Sequence, residues 1–178
     1  MVSIAKYRSE LERHVAQVLN QHSEKRPSAC ARLSSEERLK TVERFVVRTG
    51  AKIRTGAEAA YVGWDDEIVL MPPFAYRNKE EYNSFLFHEL IHWTGPRLSR
   101  FMGSGTEAQR DEEELIAELG SVLLSRHFCL MHDRRGVKDS HVHHLSSRLD
   151  LFKDKDEVLT RVKRRALEAV EYLLALSG

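Results

Sequence analysis

In the stretch FHELIHWTG, Phe87 to Gly95, two histidines stand four apart and a glutamate directly follows the first. On a helix, positions i and i+4 point the same way, so His88 and His92 can offer imidazole nitrogens to one metal ion. Glu89 is rotated aside, where it can face a metal-bound water without ligating the ion. Zinc suits this set: it takes nitrogen and oxygen ligands, tolerates an open position, and lowers the pKa of bound water towards neutrality. Glu89 would then take the water's proton during attack on a carbonyl and pass it to the leaving amine. Those are the mechanics of an H-E-x-x-H helix.

Three fixed residues also fall together by chance on a buried helix, so the rest of the chain must supply a third ligand. DEEELIAELG offers Glu114 and Glu118, four apart and on one face, with Glu114 lying 22 residues beyond His92. That interval suffices for a turn, a loop and the return of an antiparallel helix. ELIAE resembles the E-x-x-x-[DE] pattern of gluzincins, which implies Glu114 as ligand and Glu118 as the acid that orients a ligand histidine. The reverse assignment, with Glu118 on the metal, leaves the donor count unchanged. Asp111, Glu112 and Glu113 read as a solvated acidic turn favoured by the helix dipole. Glu118, set among Leu115, Ile116, Ala117 and Leu119, needs a partner if it is buried.

The elements that must position these residues are marked by local signals. A first helix is expected over Ser3–Asn20 and a second from the capping box Ser34-x-x-Glu37 to Gly50. AKIRTGAEAAYVGWDDEIVLMPP then reads as two or three short strands, with turns at Gly56 and Asp65–Asp66 and a stop at Pro72–Pro73. Asn78 with Glu81 caps the helix that carries the histidines, which ends before Gly95 and Pro96. Thr106-x-x-Gln109 opens the next helix, expected to reach Cys129. SHVHHLSSRLDLF suggests a shorter helix, and Asp154-x-x-Glu157 opens the last, to about Leu176. Two regions follow from this reading: an N-terminal helical region, 1–50, and a catalytic domain, 51–178.

The chain's 178 residues can bury a substantial core, and 42% hydrophobic with 31% charged residues indicates an ordered protein. No apolar run is long enough for a membrane span, and no secretory signal is expected at the start. Cys30 and Cys129 form neither a disulfide framework nor a cysteine zinc site, so a cytoplasmic setting is expected. The net charge of +1 is unevenly spread: residues 1–56 hold 12 Lys/Arg against 6 Asp/Glu, and residues 57–132 hold 6 against 13. The basic first third admits nucleic-acid association through its helices, although Lys and Arg among Glu at helical spacing more commonly make a solvated face.

DDEIVLMPPFAYRNKEEYNSFLFHELIHWTGPRLSR followed by EELIAELGS resembles the zincin-like metallopeptidase domain of ArdC-type antirestriction proteins and related primase and phage polyvalent proteins. LFKDKDEVLTRVKRRALEAVEYLL resembles the end of that domain, so the likeness runs from about Ala51 to Leu174. It implies an α+β zincin-like fold, a small twisted sheet packed on the HExxH helix with additional helices. It also implies a peptide-binding strand, for which Asp66–Pro72 is the candidate. The chain departs from the family in four places. Its first 50 residues do not match the usual single-stranded-DNA-binding domain. GPRLSR is a shortened spacer, and a tyrosine common before EEL is absent near Gln109 and Arg110. Aromatic positions near the C-terminal motif are His144 and Arg148.

The expected activity is zinc-dependent hydrolysis of peptide bonds in a protein substrate, with His88, His92 and Glu114 on Zn2+, Glu89 as base and Glu118 behind the ligands. The alternative is a non-catalytic, zinc-stabilised antirestriction protein that binds a partner or DNA. An oxyanion donor would come from His141 or His144, with His143, His127 and Tyr82 as further candidates. Arg97 and Arg100 would bind a substrate anion or pair with the DEEE run. Trp64 and Trp93 are expected to pack near the site.

Overall fold

The computed structural model describes residues 33–100, 105–130 and 154–177. Among them lie helices α1 (Ser35–Thr49), α2 (Lys79–Trp93), α3 (Glu107–His127) and α4 (Lys155–Leu176), and strands β1 (Lys52–Thr55), β2 (Ala60–Val62) and β3 (Glu67–Leu70). The expected helix over Ser3–Asn20 and the SHVHHLSSRLDLF helix fall outside the described residues.

Each described helix starts where its cap predicts. The Ser34 and Thr106 side chains accept from the backbone N–H groups of Glu37 and Gln109, and both capping boxes close reciprocally. The Asn78 and Asp154 side chains cap α2 and α4 by accepting from the backbone N–H groups of Glu81 and Glu157, without a reciprocal bond. Helix α1 stops at Gly50, whose φ of 73° is left-handed and costs glycine little. Thr94 closes α2, and Pro96–Leu98 adds a short 3-10 turn before Ser99.

The sheet runs in the order β1-β3-β2. Strand β3 pairs in parallel with β1, Lys52 opposite Glu67, and antiparallel with β2, Tyr61 opposite Ile68. This corrects the expectation that Asp66–Pro72 forms a peptide-binding edge. Both sides of β3 already carry neighbours, so it cannot accept another strand. Its run Ile68, Val69, Leu70 is buried, as befits a central strand. The edge strand that packs on α2 is β2.

One core joins the helices to the sheet. Ile68 and Leu70 of β3 meet Leu86, Phe87, Leu90 and Ile91 of α2, which in turn meet Leu115, Leu119 and Leu124 of α3. Helix α4 closes the far side with Val158, Val162, Ala166, Ala169 and Leu173. Helix α1, on the N-terminal side of the expected boundary at residue 50, enters the same core through Val42 and Phe45. Phe45 lies 4.7 Å from Phe128, and Phe87 stacks on Phe128 at 5.7 Å, tying α1 and α2 to the end of α3. Such pairs contribute about 0.5–1.5 kcal/mol beyond their buried area.

The approach of α2 to α3 decides the site, and Gly120 permits it. A Cβ at position 120 would sit 2.6 and 2.7 Å from the Cδ1 and Cγ1 of Ile91, a fully buried side chain. One residue on, the Ser121 hydroxyl donates to the Ser84 carbonyl across the same seam at 2.9 Å. With the helices held this close, Glu113, Glu114 and Glu118 face the histidines of α2.

Candidate metal centre

His88 and His92 project from the last two turns of α2 with their Nε2 atoms 3.2 Å apart. Glu114 of α3 meets both: one oxygen lies 3.6 Å from His88 Nε2 and the other 3.4 Å from His92 Nε2. Donors on the corners of a tetrahedron with bonds of about 2.0–2.1 Å stand about 3.3 Å apart. The spacing therefore fits a small divalent ion, and among the described residues His88, His92 and Glu114 are the one such group that converges, with ligand atoms within 4.8 Å of one another.

The outer nitrogens of the two rings are also engaged. His88 Nδ1 lies 3.4 Å from Glu118 Oε2, and His92 Nδ1 lies 3.3 Å from Glu113 Oε1. A carboxylate accepting from Nδ1–H leaves the Nε2 lone pair facing inward, which is the arrangement a ligand histidine needs. The structure thus brings His88, His92, Glu114 and Glu118 together, with Glu114 on the Nε2 side and Glu118 on the Nδ1 side.

Glu113 has a larger part than the sequence suggested. It was expected to be a solvated acid, yet it is 8% exposed and is held by Arg100. Glu112 also departs from that expectation, because Arg161 of α4 grips its carboxylate at 2.7 Å. The reason is the helix start. Since α3 begins at Glu107, residues 112–114 lie past the first turn, where the face each occupies matters more than the dipole.

Glu89 is 6% exposed and lies beside the two histidines. Burial raises its pKa, while the charges of His88 and His92 and the backbone N–H of Tyr61 oppose the rise. The edge of β2 that pairs with no strand among the described residues therefore faces the base. In the metal-free chain, burial pulls His88 down, but the Glu114 and Glu118 carboxylates push its pKa up to about 10. Burial likewise opposes Glu113 and Glu114 at His92, whose pKa is raised. The two imidazoles hold Glu114 well below the usual carboxylate range. An ion between the Nε2 atoms would displace the protons there and leave each Nδ1 proton facing its carboxylate.

Arg97 and Arg100 serve different partners. Arg100 pairs with Glu113 of the DEEE run, whereas Arg97 reaches back to Asp66 in a two-pronged contact at 3.0 and 2.7 Å. Arg97 also lies 3.5 Å over the Trp93 ring and donates to the Trp93 carbonyl. Asp66, at φ 53°, accepts from the Tyr61 hydroxyl as well, and Arg97 lowers its pKa. The chain Trp93–Arg97–Asp66–Tyr61 fastens the β2–β3 turn to the end of α2. Trp93 is buried as expected, but Trp64 is 86% exposed and corrects the expectation that it packs.

Of the possible oxyanion donors, His141, His143 and His144 lie outside the described residues. His127 is exposed, 13 residues beyond Glu114 on α3 and so about 20 Å along its axis. Tyr82 stands two turns before Glu89 on α2 and packs edge-on against Tyr76.

A small mixed sheet on a helix bearing two histidines and a glutamate, completed by an acid from the following helix, defines the zincin class. Residues 40–164 match the zincin-like metallopeptidase family model MPTase-PolyVal, and the chain belongs to that family. The structure is similar to the Mn(II)-bound crystal structure of the antirestriction protein ArdC from plasmid R388, with a TM-score of 0.65 and 29% identity over 82% of this chain and 54% of that one. It is also similar to the metal-free ArdC structure, with a TM-score of 0.57 and 28% identity over 82% of this chain and 52% of that one. The chain thus spans about half the length of ArdC. No curated protein matches it. Among the described residues, no helix is long and apolar enough to cross a membrane.

Proposed function

We propose that the chain is a zinc-dependent metallopeptidase that hydrolyses peptide bonds in a protein substrate. The observation that carries this reading is the convergence of His88 Nε2, His92 Nε2 and a Glu114 carboxylate on one point, with a buried Glu89 beside them. His88, His92 and Glu114 would hold the ion, and Glu118 fixes the His88 ring. A bound divalent ion supplies Lewis acidity, which acidifies water and polarises a carbonyl. Glu89 accepts the proton of the attacking water and returns it to the leaving amine. Its pKa, raised by burial, suits a group that must first take a proton and then give it up. The substrate would lie along β2, the edge strand whose Tyr61 N–H reaches Glu89, in an extended form.

The test compares the wild type with Glu89→Gln. Both should bind zinc at equal stoichiometry, and proteolysis of a proteome mixture should fall by about 10²–10⁴-fold in the variant. Equal cleavage by the two would remove Glu89 as the base.

The likeness to ArdC favours a second reading, a metal-stabilised antirestriction protein that acts by binding a partner or DNA. In that case Glu89→Gln keeps full antirestriction activity while His88→Ala loses it. Association with DNA through the basic N-terminal region would show as salt-dependent binding, and none at low salt would dismiss it.

A further inference from the structure

We infer that Arg100 is a positioning residue for the metal centre and acts through Glu113 on His92. The inference rests on the reading that these histidines take a divalent ion. It does not depend on whether the chain cleaves peptides.

Arg100 is 5% exposed, and its guanidinium spends its donors on three groups. Nε donates to Glu113 Oε2 at 3.0 Å and Nη2 to Glu113 Oε1 at 3.0 Å, a forked match of planar cation to carboxylate. Nη1 donates to Thr94 Oγ1 at 2.9 Å, and Nη2 also reaches the Ile91 carbonyl. Thr94 donates to that same carbonyl at 2.6 Å. The arginine thus caps the C-terminal end of α2 one residue before His92, where a positive charge is favoured. In the same stroke it seizes the α3 carboxylate that faces His92 Nδ1.

Glu113 precedes Glu114 and is buried beside the site. Held by both prongs, it presents Oε1 to Nδ1 and stays off the Nε2 side. That fixes the ring's tautomer and its angle, the two properties that set a histidine's strength as a ligand. A lysine at position 100 would be a point charge without the fork and could not serve Glu113, Thr94 and Ile91 together. The spacing therefore gives the second arginine of GPRLSR a role distinct from the first: Arg97 fastens the sheet, and Arg100 aims a ligand.

The experiment measures Zn2+ and Mn2+ affinity by chelator competition for the full-length wild type, Glu113→Gln, Arg100→Lys and the double variant, with thermal melts of each metal-free protein. Glu113→Gln should bind metal about 10–100-fold more weakly, and Arg100→Lys should lose affinity over the same range. The double variant should be no weaker than the weaker single, because both changes break one arm. Losses that multiply in the double variant, or wild-type affinity in Arg100→Lys, would overturn the inference. Should Arg100→Lys not fold, Glu113→Gln decides, and unchanged affinity there overturns it. A wild type that binds neither ion refutes the metal reading and this inference together. A wild type that binds while both single variants match it refutes this inference alone.

Discussion

Where α2 meets α3, the site is packed shut and its charged groups are matched. On the sheet flank, from β2 to the turn after β3, large side chains stand in solvent. On the helical flank Gly120 lets Ile91 close in, and Glu113, Glu114 and Glu118 each face a histidine nitrogen. On the sheet flank Trp64 is 86% exposed and Phe74 89%, and β2 is a three-residue edge. On the proposed function, the difference separates two tasks. Holding an ion needs donors fixed within tenths of an ångström, which close packing supplies. Receiving a chain needs free backbone groups and reachable apolar surface, which close packing would remove.

Substitutions should divide along the same line. The largest effect is expected at the donors: His88→Ala, His92→Ala or Glu114→Ala should abolish tight zinc binding by chelator competition. Loss in Glu118→Ala but not in Glu114→Ala would exchange the roles of the two acids. Next comes the seam. Gly120→Val forces atoms into Ile91 and should cost about 2–3 kcal/mol in a denaturant titration, with weakened metal binding. A neutral result would mean that α2 and α3 need not lie so close.

Alkaline pH should then distinguish the flanks in the metal-free protein. His88 is raised from 6.5 to about 10. Its contribution to stability is therefore fully present below pH 6.5 and is lost as pH rises through about 10. The melting temperature of the metal-free wild type should fall between pH 7 and 10, and that of metal-free His88→Ala should fall less. On the sheet flank Asp66 is lowered and Tyr61 is raised above its usual 10, so neither produces a change in this window. The smallest effect on stability is expected for Trp64→Ala and Phe74→Ala, within about 0.5 kcal/mol and without change in metal affinity. A large destabilisation in either would show that the sheet flank is packed rather than receptive.

Much of the site could be read before folding because its signals are local. Ser34, Asn78, Thr106 and Asp154 announce helix starts through bonds spanning three residues, and His88 and His92 share a face by helical period alone. Glu113 was hidden because an acid among acids looks solvated. Only the position of Arg100, 13 residues earlier, shows otherwise. The run Ile68, Val69, Leu70 did carry a signal of centrality, since three successive apolar residues suit a strand covered on both faces.

The sequence by itself determined where the helices begin, which face of α2 carries His88 and His92, and that an acid-bearing helix follows. These depend on backbone geometry over a few residues. Only the tertiary structure decided that β3 lies inside the sheet and β2 at its edge, and that Arg97 takes Asp66 while Arg100 takes Glu113. It also decided which acid meets which ring nitrogen. The ionic pairings join residues from 13 to 31 positions apart, and the packing of α2 on α3 and of the sheet on α2 selects them among many partners of equal charge.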